Sequence, residues 1–120
     1  MRALIFICLA VMVAAPASAR NVWVTGNVVK TVVSEDAKFA GCLVKLDTPY
    51  QGQVPACRND WLSFDCAGLF TEKSSGARRL DSAILAGAMG APIRARLNAK
   101  RQVDGWCVVD RVEVQFHSAQ

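Results

Sequence analysis

Residues 56–66 read ACRNDWLSFDC, and the way they pair with residues 39–47, FAGCLVKLD, decides the fold. Both stretches hold short apolar runs of the kind that form strands. Laid antiparallel with Asp47 opposite Trp61, they set Leu46 against Leu62, Val44 against Phe64 and Cys42 against Cys66. All six of those apolar residues and cysteines then share one face. A slip of one residue would scatter them, because strand side chains alternate with period two. Directly opposed residues have Cα atoms about 4.5–5.5 Å apart, which is within disulfide reach.

Cysteine usage fits the same reading. Cys8 lies in an N-terminal apolar run, which leaves Cys42, Cys57, Cys66 and Cys107. An even number in a small exported domain implies a disulfide framework with three connectivities. The register selects Cys42–Cys66 and leaves Cys57–Cys107. No C-x₂-C ligand pair or redox C-x-x-C is present, and His117 stands alone near the end, so no metal and no cofactor are expected.

Export is read from the first residues. Arg2 precedes an apolar run from Ala3 to Ala15, and Ala17-Ser18-Ala19 follows the small-x-small cleavage pattern. The run is shorter than the roughly 20 residues a membrane-spanning helix needs. A signal peptide over 1–19 and a single domain over 20–120, periplasmic or secreted, are predicted. Losing Arg2 lowers the formal net charge from +4 to +3. This mild surplus suits an anionic partner, whereas a nucleic-acid protein of this size would be more basic.

Outward from the paired stretches, Val22–Val33 is a β-branched strand broken at Gly26, and 48–55, with three Gly or Pro, is a loop. Trp61–Cys66 is a third strand and Thr71–Arg79 a polar connector. Asp81 is a plausible N-cap for a short helix, with Leu80 and Leu85 as its staple and Gly90 then Pro92 as stop signals. Gly87, inside that helix, marks a close approach to the sheet. PIRARLN points Ile93, Ala95 and Leu97 inward and Arg94, Arg96 and Asn98 outward. Lys100–Gly105 is a loop, and Trp106–Phe116 the last strand, with Val112, Val114 and Phe116 on one face and Arg111, Glu113 and Gln115 on the other. The order β-β-β-α-β-β is that of a mainly β, five-stranded OB-like barrel with one short helix and two disulfides.

The helix-then-strand segment Leu80–Arg96, a D-x-A-x-x-x-A helix ended by glycine and followed by an alternating strand, resembles the matching part of B subunits of bacterial AB5 toxins. The resemblance implies a small, secreted, disulfide-containing OB-fold protein that binds glycans and assembles into a homo-oligomer. It carries no site residue onto this chain.

Nothing in the sequence marks an enzyme. The carboxylate pairs Glu35-Asp36 and Asp60/Asp65 share no evident cleft, the serines lack a base, and KSSGARR lacks the strand–loop–helix spacing of a phosphate loop. A non-enzymatic binding or assembly module is expected, recognising a glycan, an anionic envelope component or an exported protein. An inhibitor of another exported protein, or a structural subunit of an envelope assembly, is the alternative. The pairing register places Leu43, Lys45, Asp47, Trp61, Ser63 and Asp65 on the outer face. A site built from Lys45, Trp61, Lys100 and Arg101 follows, the indole stacking on a sugar while the cations hold its anionic group.

Overall fold

A computed structural model describes residues 21–35, 39–48, 56–58 and 60–116. The expected signal peptide, most of the 48–55 loop and His117 lie outside the described residues. The elements run β1 (Val22–Gly26), β2 (Val28–Val33), β3 (Cys42–Leu46), β4 (Leu62–Ser63), α1 (Lys73–Met89), β5 (Ile93–Val103) and β6 (Trp106–Val114). All strands belong to one sheet in the order β1-β5-β6-β4-β3-β2. Neighbours are antiparallel except β4 and β6, which meet in parallel at Ser63 and Val108. The fold is mainly β with one helix and two disulfides, as expected. Its ladder holds six strands and does not close on itself, so the expected five-stranded barrel is not what the pairing contains.

The extra strand comes from a break in the long first one. A side chain at Gly26 would bring its Cβ 3.0 Å from Asp47 Oδ1 and 3.2 Å from Leu46 Cβ, so the packing there is tight and any side chain would need those neighbours to give. Asp47 grips the far side of the bend: Asn27 donates to it through its backbone N–H (2.8 Å) and its amide Nδ2 (3.0 Å). Asp47 N–H in turn donates to the Asn27 carbonyl at 2.9 Å. Past this clasp the chain leaves β5 and pairs with β3. These hydrogen bonds from Asn27 hold the Asp47 carboxyl below its ordinary value near 3.8. A carboxylate lowered on folding contributes stability above its unfolded value and loses it as the pH falls through the folded one. Asp47→Asn should therefore lower the melting temperature at neutral pH and flatten the acid limb below about pH 4, the two profiles converging as the wild-type carboxylate protonates. Parallel profiles for variant and wild type across that limb would refute this role.

The inner face of the sheet and one side of the helix form the core. Val44, Leu62, Phe64, Ile93, Ala95, Leu97, Cys107 and Val109 are fully buried, with Leu80, Ala83 and Ala86 of α1 packed over them. The alternation predicted along β5 holds.

Both expected disulfides form, with Cα separations of 5.6 Å for Cys42–Cys66 and 5.4 Å for Cys57–Cys107. The register that suggested the first is displaced by two residues. Leu43 faces Ser63 and Val44 faces Leu62, so Asp47 does not oppose Trp61. A slip of two preserves the parity of every side chain, so Cys42, Val44, Leu62 and Phe64 still share the core face. Only Leu62 and Ser63 are laddered as β4. The chain turns after Phe64 through Asp65, at φ 55°, and this brings Cys66 back to Cys42.

The helix begins at Lys73, eight residues before the expected cap, and takes in most of the stretch read as a polar connector. Glu72 at its N-cap makes no side-chain cap bond, and Asp81 is an exposed mid-helix residue, so the usual start signals are missing. Its end follows expectation: Gly90 at φ 66° lets Ala91 N–H reach the Ala86 carbonyl (2.9 Å) and Gly90 N–H the Gly87 carbonyl (3.3 Å). The close approach to the sheet is at Gly76 rather than Gly87, where an added Cβ would find ordinary contact with Val28 at 3.4 Å. Among the described residues no helix is long and apolar enough to cross a membrane.

Asp104 and Gly105, both at positive φ (51° and 85°), form the two-residue turn that favours tight hairpins. β5 thus runs to Val103, and Lys100 and Arg101 are strand residues rather than parts of a loop.

Candidate functional site

The expected outer face is partly closed. Leu43, Ser63 and Asp65 are buried, and the chain before β3 reaches across to Ser63 and Val108. Ser63 donates to the Phe39 carbonyl at 3.3 Å, and Ala40 joins Val103 and Val108 in a second small apolar cluster. Asp65 is turned into the loop that follows it. One oxygen accepts from Leu69 N–H (2.7 Å); the other accepts from Phe70 N–H (2.9 Å), Thr71 N–H (2.8 Å) and the Thr71 hydroxyl (3.1 Å). Arg79 donates to the same hydroxyl at 2.8 Å. Burial pushes the Arg79 guanidinium below its ordinary value, against the opposing pull of Asp65 and Asp110. This network organises the route from β4 into α1.

What stays open is the end of that face carrying Trp61 and Lys45. The half-buried indole has Lys45 Nζ 5.8 Å and Lys30 Nζ 5.9 Å from its ring centre, both within cation–π range. Lys30 and Lys45 are direct partners across β2 and β3. Like charges directly opposed on adjacent strands are destabilising, and among the described residues neither lysine has a carboxylate within 4 Å. Two expected members of the site, Lys45 and Trp61, are thus brought together. Lys100 and Arg101 stand on β5, which is separated from β4 by β6. Lys30 was missed in the sequence because its position opposite Lys45 depends on the bulge between Val28 and Lys30.

The other two tryptophans are also met by arginine. Trp106 has Arg58 stacked 4.1 Å from its ring centre, donates from its indole N–H to Asp60 at 3.0 Å, and meets Phe39 edge-on at 6.3 Å. It is held on several sides and reads as a structural clamp on the hairpin. Trp23 on β1 has Arg94 at 4.1 Å and Arg96 and Arg111 each at 5.8 Å. Among the described residues no group of three or more His, Cys, Asp or Glu is placed to hold a metal ion.

No protein family, curated protein or solved structure matches the chain. Its function is therefore argued from these surfaces alone.

Proposed function

We propose that the protein is a small exported, non-enzymatic binding module that recognises an anionic glycan through the surface carrying Lys30, Lys45 and Trp61. The observation that carries this reading is the opposed lysine pair, beside an indole and without a carboxylate partner among the described residues. Such an arrangement weakens the free protein and is relieved when an anion lies between the two cations. The indole adds apolar surface for the flat face of a sugar ring. Four of the five cysteines are paired in two bridges, which suits an oxidising compartment.

We also read β1 and β2 as two halves of one bent strand, which would make the architecture OB-like. Three features support this. The strands at the two ends of the ladder are consecutive in the chain, with only Asn27 between them; the third and last strands pair in parallel; and the helix lies between the third and fourth strands. In such barrels the second and third strands and their flanking loops make the usual binding surface, which is where Lys45 and Trp61 stand. The likeness of Leu80–Arg96 to AB5 toxin B subunits belongs to the same proposal.

A glycan array followed by calorimetry on the best acidic ligand tests the reading. Lys30→Gln with Lys45→Gln should weaken binding about 10–100-fold, the loss of one or two charge-assisted contacts. The melting temperature should hold or rise, because a like-charge pair is gone. If that double variant binds every acidic glycan as the wild type does, this surface is not the site.

A further inference from the structure

We propose that Trp23, Arg94, Arg96 and Arg111 form a second binding surface, selective for oxyanions carried on sugar rings and independent of the Lys30–Lys45–Trp61 reading. The strand registers place the four residues together. Trp23 opposes Arg96 across β1 and β5, Arg96 opposes Arg111 across β5 and β6, and Arg94 is two residues along from Arg96 on the same face. Their neighbours on these strands, Val24, Ile93 and Ala95, point into the core, so the arginines and the indole face outward by parity. The resulting patch spans three adjacent strands.

Two carboxylates share this face and leave most of the donors unused. Glu113 meets one terminal nitrogen of Arg94 at 3.5 Å, with both side chains well exposed at 43% and 38%. Asp110 accepts from Arg96 Nε at 2.6 Å. Among the described residues the two terminal nitrogens of Arg96 make no hydrogen bond, and exposed Arg111 has no carboxylate within 4 Å. Asp110 therefore fixes the Arg96 plane from behind and leaves its forked end free, the geometry that takes a carboxylate, sulfate or phosphate through two parallel bonds. Arg111 stands directly across from Arg96, so two guanidinium groups face each other with Asp110 paired to only one of them. An oxyanion bridging Arg96 and Arg111 removes that repulsion. The half-buried Trp23 beside it offers apolar surface to the ring that carries the anion. Arginine rather than lysine on this surface favours planar, two-pronged recognition over simple attraction of charge.

The test is a calorimetric titration of the Lys30→Gln/Lys45→Gln protein, so that only this surface is read, alongside the wild type. The probes are a heparin-derived tetrasaccharide, a tetragalacturonate and uncharged maltotetraose. One charged probe or both should bind saturably with one ligand per chain and weaken with added salt, while maltotetraose should not bind. The heparin fragment against the galacturonate separates a sulfate from a carboxylate as the recognised group. Adding Arg111→Gln should weaken binding about tenfold and leave the melting temperature equal or higher, a combination a purely structural arginine would not give. The proposal is overturned if Arg111→Gln binds within about twofold of its parent, if neither charged probe binds, or if maltotetraose binds as well as they do. Loss of binding only in the lysine variants would sustain the Lys30–Lys45–Trp61 surface and sink this one.

Discussion

Gly76→Ala should be among the most damaging single substitutions in this chain. The site lies in the first turns of α1, where the helix axis passes over the carbonyl groups of Phe64 and Asp65. An added Cβ would collide with the Asp65 carbonyl oxygen, and would lie 2.8 Å from its carbon and 2.9 Å from Phe64 O. These are backbone atoms on a segment tied down by Cys42–Cys66 and by the Asp65 carboxylate, so neither partner can move aside cheaply. Overpacking of this kind reaches roughly 3 kcal/mol or more, against a gain of at most about 1 kcal/mol in helix propensity. A net loss of about 2 kcal/mol or more should lower the melting temperature of a domain this size by roughly 10 °C or more. Gly87→Ala supplies the contrast: its Cβ meets only ordinary contact, so the propensity gain should leave it neutral or stabilised. Equal shifts for the two variants in thermal denaturation would contradict the close approach at Gly76.

Asp65→Ala should be at least as severe. Its carboxylate accepts four hydrogen bonds from residues 69–71 and is itself fully buried. Truncation strands three backbone N–H groups, each costing about 1–3 kcal/mol when no water can reach it. It also deprives Arg79 of the negative charge that offsets its burial. Because the loop is only part-buried, water will satisfy some of these donors, and about 3–4 kcal/mol is expected from denaturant unfolding. Asp65→Asn keeps one acceptor oxygen and cannot serve both donor sets, so it should fall between. A loss under about 1 kcal/mol for Asp65→Ala would mean the loop is organised by something else. The two variants should also couple, since Gly76 rests on the residue whose side chain holds the loop.

The sequence was legible where a pattern is local and periodic. Ile93-Ala95-Leu97 against Arg94-Arg96, the glycine stop at Gly90 and both cysteine pairs follow from alternation, from φ > 0 chemistry and from parity. Parity was enough for Cys42–Cys66 even though the register is displaced by two, because an even slip moves no side chain to the other face. The helix start was hidden because its N-cap residue is Glu72, which makes no side-chain cap bond, and its docking glycine is visible only once Asp65 is placed beneath it. The outer face was misjudged for a different reason. Alternation says which way a side chain points but not what another segment lays over it, and Phe39–Ala40 packs against Ser63 and Val108. The same limit separates the predicted site from the observed one. Lys45 and Trp61 are near neighbours through one hairpin register, whereas Lys30 depends on a bulge. Lys100 and Arg101 were assigned to a loop that β5 replaces, its hairpin turning at Asp104-Gly105. Trp23 with its three arginines needed the pairing of β1 with β5, which no local pattern announces.

The place of β6 in the ladder governs the order in which this fold can assemble. Among the described residues it is the last strand in sequence, and it lies between β5 and β4. Without it the ladder falls into two groups, β1 with β5 and β4 with β3 and β2, joined only where the chain passes through Asn27 from β1 to β2. Neither group alone can enclose the apolar face it shares with α1, and Cys57 has no partner until Cys107 arrives. The segments before β6 therefore gain little from ordering alone, and the long-range pairings must close almost together once β6 is present. Topologies dominated by such distant contacts fold slowly. Until β6 inserts, the nascent chain holds apolar strand faces and unpaired thiols in the open, which makes the interval before insertion its period of greatest exposure to aggregation and to mispaired bridges.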